Sequence, residues 1–156
     1  MHAVIVYDTW YGDTEMIAKA IAGKLESARL VRASATNSLD LTDCDLLLVG
    51  SPTHSYGMSI VMRLLVGRTP RTSLKGLPFT TFDTRFPGPL SRTGSAAVRI
   101  AKRLEQKGAR LVAPPESFIV TGIQGPLKAG EIARAEMWAA GLLAAHEGKG
   151  HLVEAG

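Results

Sequence analysis

Short apolar runs alternate with amphipathic stretches along nearly the whole chain. Ala3-Val4-Ile5-Val6-Tyr7 is a continuous, largely β-branched run, the pattern of a strand buried on both faces of a parallel sheet. From about Thr14 to Glu26 the apolar residues Ile17, Ala18, Ile21, Ala22 and Leu25 recur at helical spacing. Leu30 to Ala33 reads as a weak second strand, and Asp45 to Gly50, rich in Leu, as a strong third. A loop from Ser51 to Met58 then leads into a helical stretch, Ile60 to Leu65. Leu77 to Phe82 predicts a fourth strand, and Ser95 to Lys107 a helix with Ala97, Ile100, Ala101 and Leu104 on one side, stopped by Gly108. Arg110-Leu111-Val112, joined by Phe118-Ile119-Val120 after a Pro114-Pro115 break, supplies the fifth strand, and a helix from about Gly130 to Ala145 closes the series.

Strands alternating with helices predict an α/β fold with a doubly wound parallel sheet. Ligands of such sheets bind in the crevice beyond the carboxyl ends of the strands, where the winding reverses. The loops after Tyr7, Gly50 and Phe82 are therefore the ones to examine. No internal repeat or linker divides the chain, and 156 residues suffice for one core, so residues 1–156 are expected to form a single domain.

An apolar share of 46% with 21% charged residues is that of a globular protein. The apolar start, Ala3 to Tyr7, lacks the features of a secretory signal, and no apolar run approaches the roughly 20 residues that span a bilayer. A cytoplasmic protein without a membrane segment is expected. The single Cys44, flanked by Asp43 and Asp45, cannot pair internally and reads as a packing residue. Charge is uneven: residues 63 to 110 hold eleven Lys and Arg against only Asp83 and Glu105, a net of +9 within a chain of net +4. This asymmetry is either the solvated face of a helix or the mark of an anionic partner. An acidic protein fits better than nucleic acid. No His and Cys cluster suggests a metal, and Ser51, His54 and Asp83 lack the context of a hydrolase nucleophile, so no catalytic side chain is assigned.

Asp8-Thr9-Trp10-Tyr11-Gly12-Asp13-Thr14 joins the first strand to the first helix. It offers hydroxyls at Thr9 and Thr14, a glycine, and the free N–H groups of a helix start, which together make an anion site. Its spacing matches neither the nucleoside-triphosphate loop nor the three-glycine dinucleotide pattern, so a monophosphate fits best. The segment Ile5 to Ile21 resembles the signature of the flavodoxin family at each restricted position. That resemblance covers almost the whole chain and implies a flavodoxin-like, doubly wound five-stranded parallel sheet of order 2-1-3-4-5, of the short type. It also implies the cofactor FMN, held non-covalently, with its phosphate on Thr9, Thr14 and the N–H groups from Trp10 through Tyr11, Gly12 and Asp13 to Thr14. Asp8 and Asp13 place carboxylates beside that phosphate, which opposes its binding.

The same resemblance assigns the flavin ring to two loops. In the first, Ser51-Pro52-Thr53-His54-Ser55-Tyr56-Gly57, either His54 or Tyr56 is the stacking side chain, Thr53 a hydroxyl for the ribityl or phosphate end, and Gly57 the peptide that reorients toward the ring. In the second, Asp83, Thr84 and Arg85 offer N–H groups to the pyrimidine side and Phe86 is the second aromatic. Arg85 would add a cation near the ring.

Three functions remain open at this point. The first is an electron carrier cycling FMN between a reductase and an acceptor, with a redox partner protein that the basic segment makes acidic. The second is an FMN-dependent, quinone-type reductase of the same fold, and the third a binding module that has kept the fold without the cofactor.

Overall fold

The structure, a computed structural model, describes residues 1–155, with side chains through residue 148. β1 (His2–Tyr7), β2 (Ser27–Arg32), β3 (Leu46–Pro52) and β4 (Pro78–Arg85) form a parallel sheet with β5 (Arg110–Leu111) in the order β2-β1-β3-β4-β5. The helices are α1 (Asp13–Ala22), α2 (Ile60–Arg68), α3 (Arg71–Leu74), α4 (Leu90–Thr93), α5 (Ala96–Gln106) and α6 (Glu131–Ala155).

A sixth strand, β6 (Glu116–Ile119), also pairs with β4. β5 lies beside Pro78 and Phe79, and β6 beside Phe82 to Arg85, so the two follow one another along a single edge. Proline has no N–H to give a ladder, and Pro114-Pro115 splits the expected fifth strand in two. Thr80 Oγ1 spans the gap by donating to Ala113 O at 3.0 Å.

Several boundaries differ from the sequence reading. α1 ends at Ala22 because Gly23 to Glu26 turn away, although Leu25 stays buried in the phase the helix set. β2 begins earlier, at Ser27, and β4 continues three residues past Phe82, so Asp83 to Arg85 belong to a strand rather than a loop. Gly108, at φ 97°, turns the chain out of α5 as expected.

Each face of the sheet carries its own core. Val4, Val6, Leu47, Val49 and Phe79 pack under α2 and α5, with Met62, Leu65, Ile100 and Leu104 from the helices. Ile5, Tyr7, Leu48, Phe82 and Phe118 pack under α1 and α6, with Ile17, Ile21, Ala135 and Ala139. Cys44 is half-buried against the first core, and burial pushes its thiol up, away from reactivity. Among the described residues no helix is long and apolar enough to cross a membrane.

Candidate functional site

The carboxyl ends of β1, β3, β4 and β6 open onto a cleft of about 290 Å³. It is just below the usual range for small-molecule pockets, about 300–1,000 Å³. Three loops predicted from sequence converge there: Thr9, Trp10, Tyr11, Asp13 and Thr14 from the first, Pro52, Thr53 and His54 from the second, and Thr84, Arg85 and Phe86 from the third. Gly12, Ser51, Tyr56, Gly57 and Asp83 do not line it.

The first loop is built to leave donors open. Gly12 stands at the N-cap of α1 with φ 93°, a left-handed conformation suited to glycine, and no side chain caps the helix. The Gly12 N–H donates to Thr9 Oγ1 at 2.9 Å, which curls the loop back on itself. The N–H groups of Trp10 and Tyr11 have no partner among the described residues. Thr9 and Thr14 are both buried, and Thr14 Oγ1 lies 2.7 Å from Thr84 Oγ1, tying the first loop to the third. Each hydroxyl has one proton and two lone pairs, so Thr9 keeps its proton and the Thr14–Thr84 pair keeps one proton for a ligand.

The two carboxylates are placed differently. Asp8 follows the alternation of Val4 and Val6 to the α2 side; its carboxylate is buried with Oδ2 unpartnered, and it is not part of the cleft wall. Asp13 does line the cleft. It packs so closely on Gly125 that a β-carbon there would fall 2.6 Å from Oδ1, and burial pushes its carboxyl up, toward the neutral form. The free N–H groups, the hydroxyls and the displacement of Asp8 together fit a phosphate.

His54 stacks on Trp10, with ring centroids 4.0 Å apart and a tilt of 34°. Burial holds the imidazole below its ordinary titration range, opposed by the charge of Asp8. Thr53 lines the cleft, but its Oγ1 also accepts the Ala96 N–H at 3.1 Å, at the start of α5.

Gly57 closes a tight turn with His54. Its N–H donates to His54 O at 3.0 Å, and its carbonyl accepts the His54 N–H at 2.8 Å, closing a two-residue turn. Ser55 and Tyr56 occupy that turn at φ 48° and 70°, and Tyr56 points out of the cleft into solvent while Ser55 lines the wall. Ser51 is fully buried: its Oγ donates to Pro52 O and accepts the Ser59 N–H, supporting the loop from below.

In β4 the alternation of sides decides which residues reach the cleft. Thr84 faces α1, whereas Asp83 faces α5, where its Oδ2 accepts from Ser95 Oγ at 2.5 Å and from the Ala97 N–H at 3.0 Å. Asp83 is a helix cap, and burial pushes its carboxyl up. Arg85 reaches the cleft wall, but its Nη1 donates to the carbonyls of Phe86 and Gly88, so the guanidinium shapes the loop that presents Phe86. Val120 and Ile123, from the loop after β6, complete the wall. Sequence reasoning missed them; the apolar Phe118-Ile119-Val120 run followed by Gly122 and Gly125-Pro126 is the signal that places that turn at the same sheet edge. No cluster of metal-ligating side chains occurs among the described residues.

The strand order and the cleft at the reversal of the winding define a doubly wound α/β protein. The sequence matches the flavodoxin domain family over residues 4–113, and the chain belongs to that family. Oxidised flavodoxin 1 from Bacillus cereus superposes with a TM-score of 0.73 at 17% identity, over 90% of this chain and 95% of that one. The flavodoxin, WrbA-like protein from Agrobacterium tumefaciens gives 0.68 at 19%, over 92% and 96%. The two-electron reduced flavodoxin of Megasphaera elsdenii gives 0.65 at 24%, over 88% and 98%. At these identities the likeness establishes the fold. No curated protein matches the chain by sequence.

Proposed function

We propose that the chain binds FMN non-covalently and serves as an electron carrier between a reductase and an acceptor. The observation that carries this reading is the open loop from Thr9 to Thr14, with unpartnered N–H groups, at the same cleft as the aromatic side chains of the other two loops. Bound FMN supplies one- and two-electron redox chemistry at its ring; the protein supplies orientation and electrostatics. The N–H groups of Trp10, Tyr11, Asp13 and Thr14 and the hydroxyls of Thr9 and Thr14 bind the phosphate, aided by the positive end of α1. Trp10, His54 and Phe86 would offer flat side chains to the ring, and Val120 and Ile123 an apolar stretch of the same wall. His54, neutral near pH 7, offers one ring nitrogen as a proton acceptor beside the cleft.

A carrier and a quinone-type reductase of the same fold differ in what reduces the bound flavin. The FMN-loaded chain mixed with NADH or NADPH alone is expected to stay oxidised, and to be reduced only when a separate flavodoxin reductase is added. Prompt bleaching of the flavin by either nucleotide alone would assign the chain to the reductase class.

A further inference from the structure

The helices of the sheet's two faces differ in how their charges are balanced. All five ion pairs among the described residues, such as Lys24–Glu136 and Arg134–Glu116, lie outside residues 63–110. Of the eleven cations in that segment, Arg71, Arg85 and Lys107 spend donors on backbone carbonyls. The other eight, Arg63, Arg92, Arg99 and Lys102 among them, are exposed and make neither an ion pair nor a side-chain hydrogen bond among the described residues. A solvated helix face with Glu at helical spacing would pair some of them. This one is left unneutralised.

Apolar side chains are set among those cations. On α2, Ile60 is 72% exposed, and Val61 and Leu64 share its outward face with Arg63. On α5, Val98 is exposed beside Arg99 and Lys102. A groove lined by Tyr56, Leu90, Gly94, Val98 and Arg99 joins this surface to the rim of the cleft, because the turn at Tyr56 packs directly on Gly94. An apolar centre with Arg around it is the composition of a protein interface. Phosphate-backbone binding needs the cations and gains nothing from exposed Ile and Leu.

We infer that the α2–α5 face is a docking surface for an acidic redox protein, one that presents carboxylates around its own redox centre and seats an apolar side chain in the groove beside Tyr56. The inference rests on the carrier reading for its redox character. Its geometry rests on the unpaired cations and the apolar ridge. Charge complementarity of this kind steers association and falls away with salt.

The test uses the full chain, cytochrome b5 as an acidic redox protein, cytochrome c as a basic one, and a short DNA duplex, each titrated calorimetrically. Cytochrome b5 is expected to bind, with affinity falling about tenfold or more as salt rises from about 20 mM to about 500 mM, and cytochrome c is not. The triple variant R63E/R99E/K102E is expected to lose about tenfold or more of that affinity, and K24E/K128E on the other helical layer to keep it. FMN titration of the triple variant is expected to match the parent, since none of the three residues lines the cleft. No binding of cytochrome b5 at low salt, binding that the triple variant retains, or tighter binding of the duplex would each overturn the inference. Failure of the parent to bind FMN would instead strike the carrier reading, whatever cytochrome b5 does.

Discussion

Gly50→Ala tests how the sheet supports the cleft. Gly50 ends the apolar run of β3, where a β-carbon would stand 2.2 Å from Cε2 and Cζ of Phe82 and 2.7 Å from Cδ2. Ordinary contact begins at 3.4 Å, so the ring must withdraw by about 1.2 Å, the difference between those distances. Phe82 has nowhere to go: it is fully buried, with its ring 6.2 Å from that of Trp138 in an edge-on contact. Overpacking a closed core costs about 1–3 kcal/mol, and a ring locked on both sides belongs in the upper half of that range. For a domain of this size about 2–3 kcal/mol lowers Tm by roughly 4–12 °C. The assay is denaturant unfolding of Gly50→Ala, Phe82→Leu and the double variant. Because the smaller Leu makes room for the new methyl, the double variant is expected to be more stable than the sum of the single losses, by about 1 kcal/mol. A Gly50→Ala loss under about 0.5 kcal/mol, or strict additivity, would refute the packing account. Gly50 O also accepts the Asp8 N–H at 3.0 Å, so the displacement reaches the phosphate loop, and weaker FMN binding is expected to accompany it.

Two other perturbations probe the cleft itself. Thr14→Val removes the buried hydroxyl that meets Thr84 Oγ1 at 2.7 Å and is expected to cost about 1–3 kcal/mol in stability, read by urea unfolding, and to weaken FMN more than riboflavin. His54 is held below its ordinary value by burial, so the unfolded chain binds the proton more readily; stability present above about pH 6.5 is lost as pH falls until the folded value is passed. Asp8→Asn removes the one charge that opposes this and is expected to move the His54 titration, followed by proton NMR of the ring, further down; an upward move would contradict the assignment.

The parts of the fold legible in the sequence are those whose burial repeats locally. Val4 to Val6 and Leu46 to Val49 are apolar on both faces because helices cover both, and an unbroken run announces that. The second half of β4 announces nothing: Thr80, Thr81, Asp83 and Thr84 are polar, yet all are buried. Their partners are Ala113, Ala97, Ser95 and Thr14, each distant in sequence, so no local pattern marks the strand as continuing past Phe82. The Thr9–Thr14 loop was legible as a turn into α1 because a strand end, a hydroxyl, a glycine and a helix start follow one another in a few residues. The ring loops were legible only in position. Ser55-Tyr56 is not the usual pair for a turn with two positive φ angles, so nothing foretold that Gly57 would be tied down by His54.

The account stands on the phosphate end of the cleft, and the measurement that reaches it most directly is the affinity of the flavin-stripped chain for FMN against riboflavin, followed by flavin fluorescence. Both ligands carry the same ring, and only FMN presents a phosphate to the open N–H groups of the Thr9–Thr14 loop. The account predicts FMN binding at about micromolar or tighter, with riboflavin weaker by about a hundredfold, near 2.7 kcal/mol. Equal affinity for the two, or no binding of FMN, would contradict it and leave Asp13 as the stronger influence on the loop.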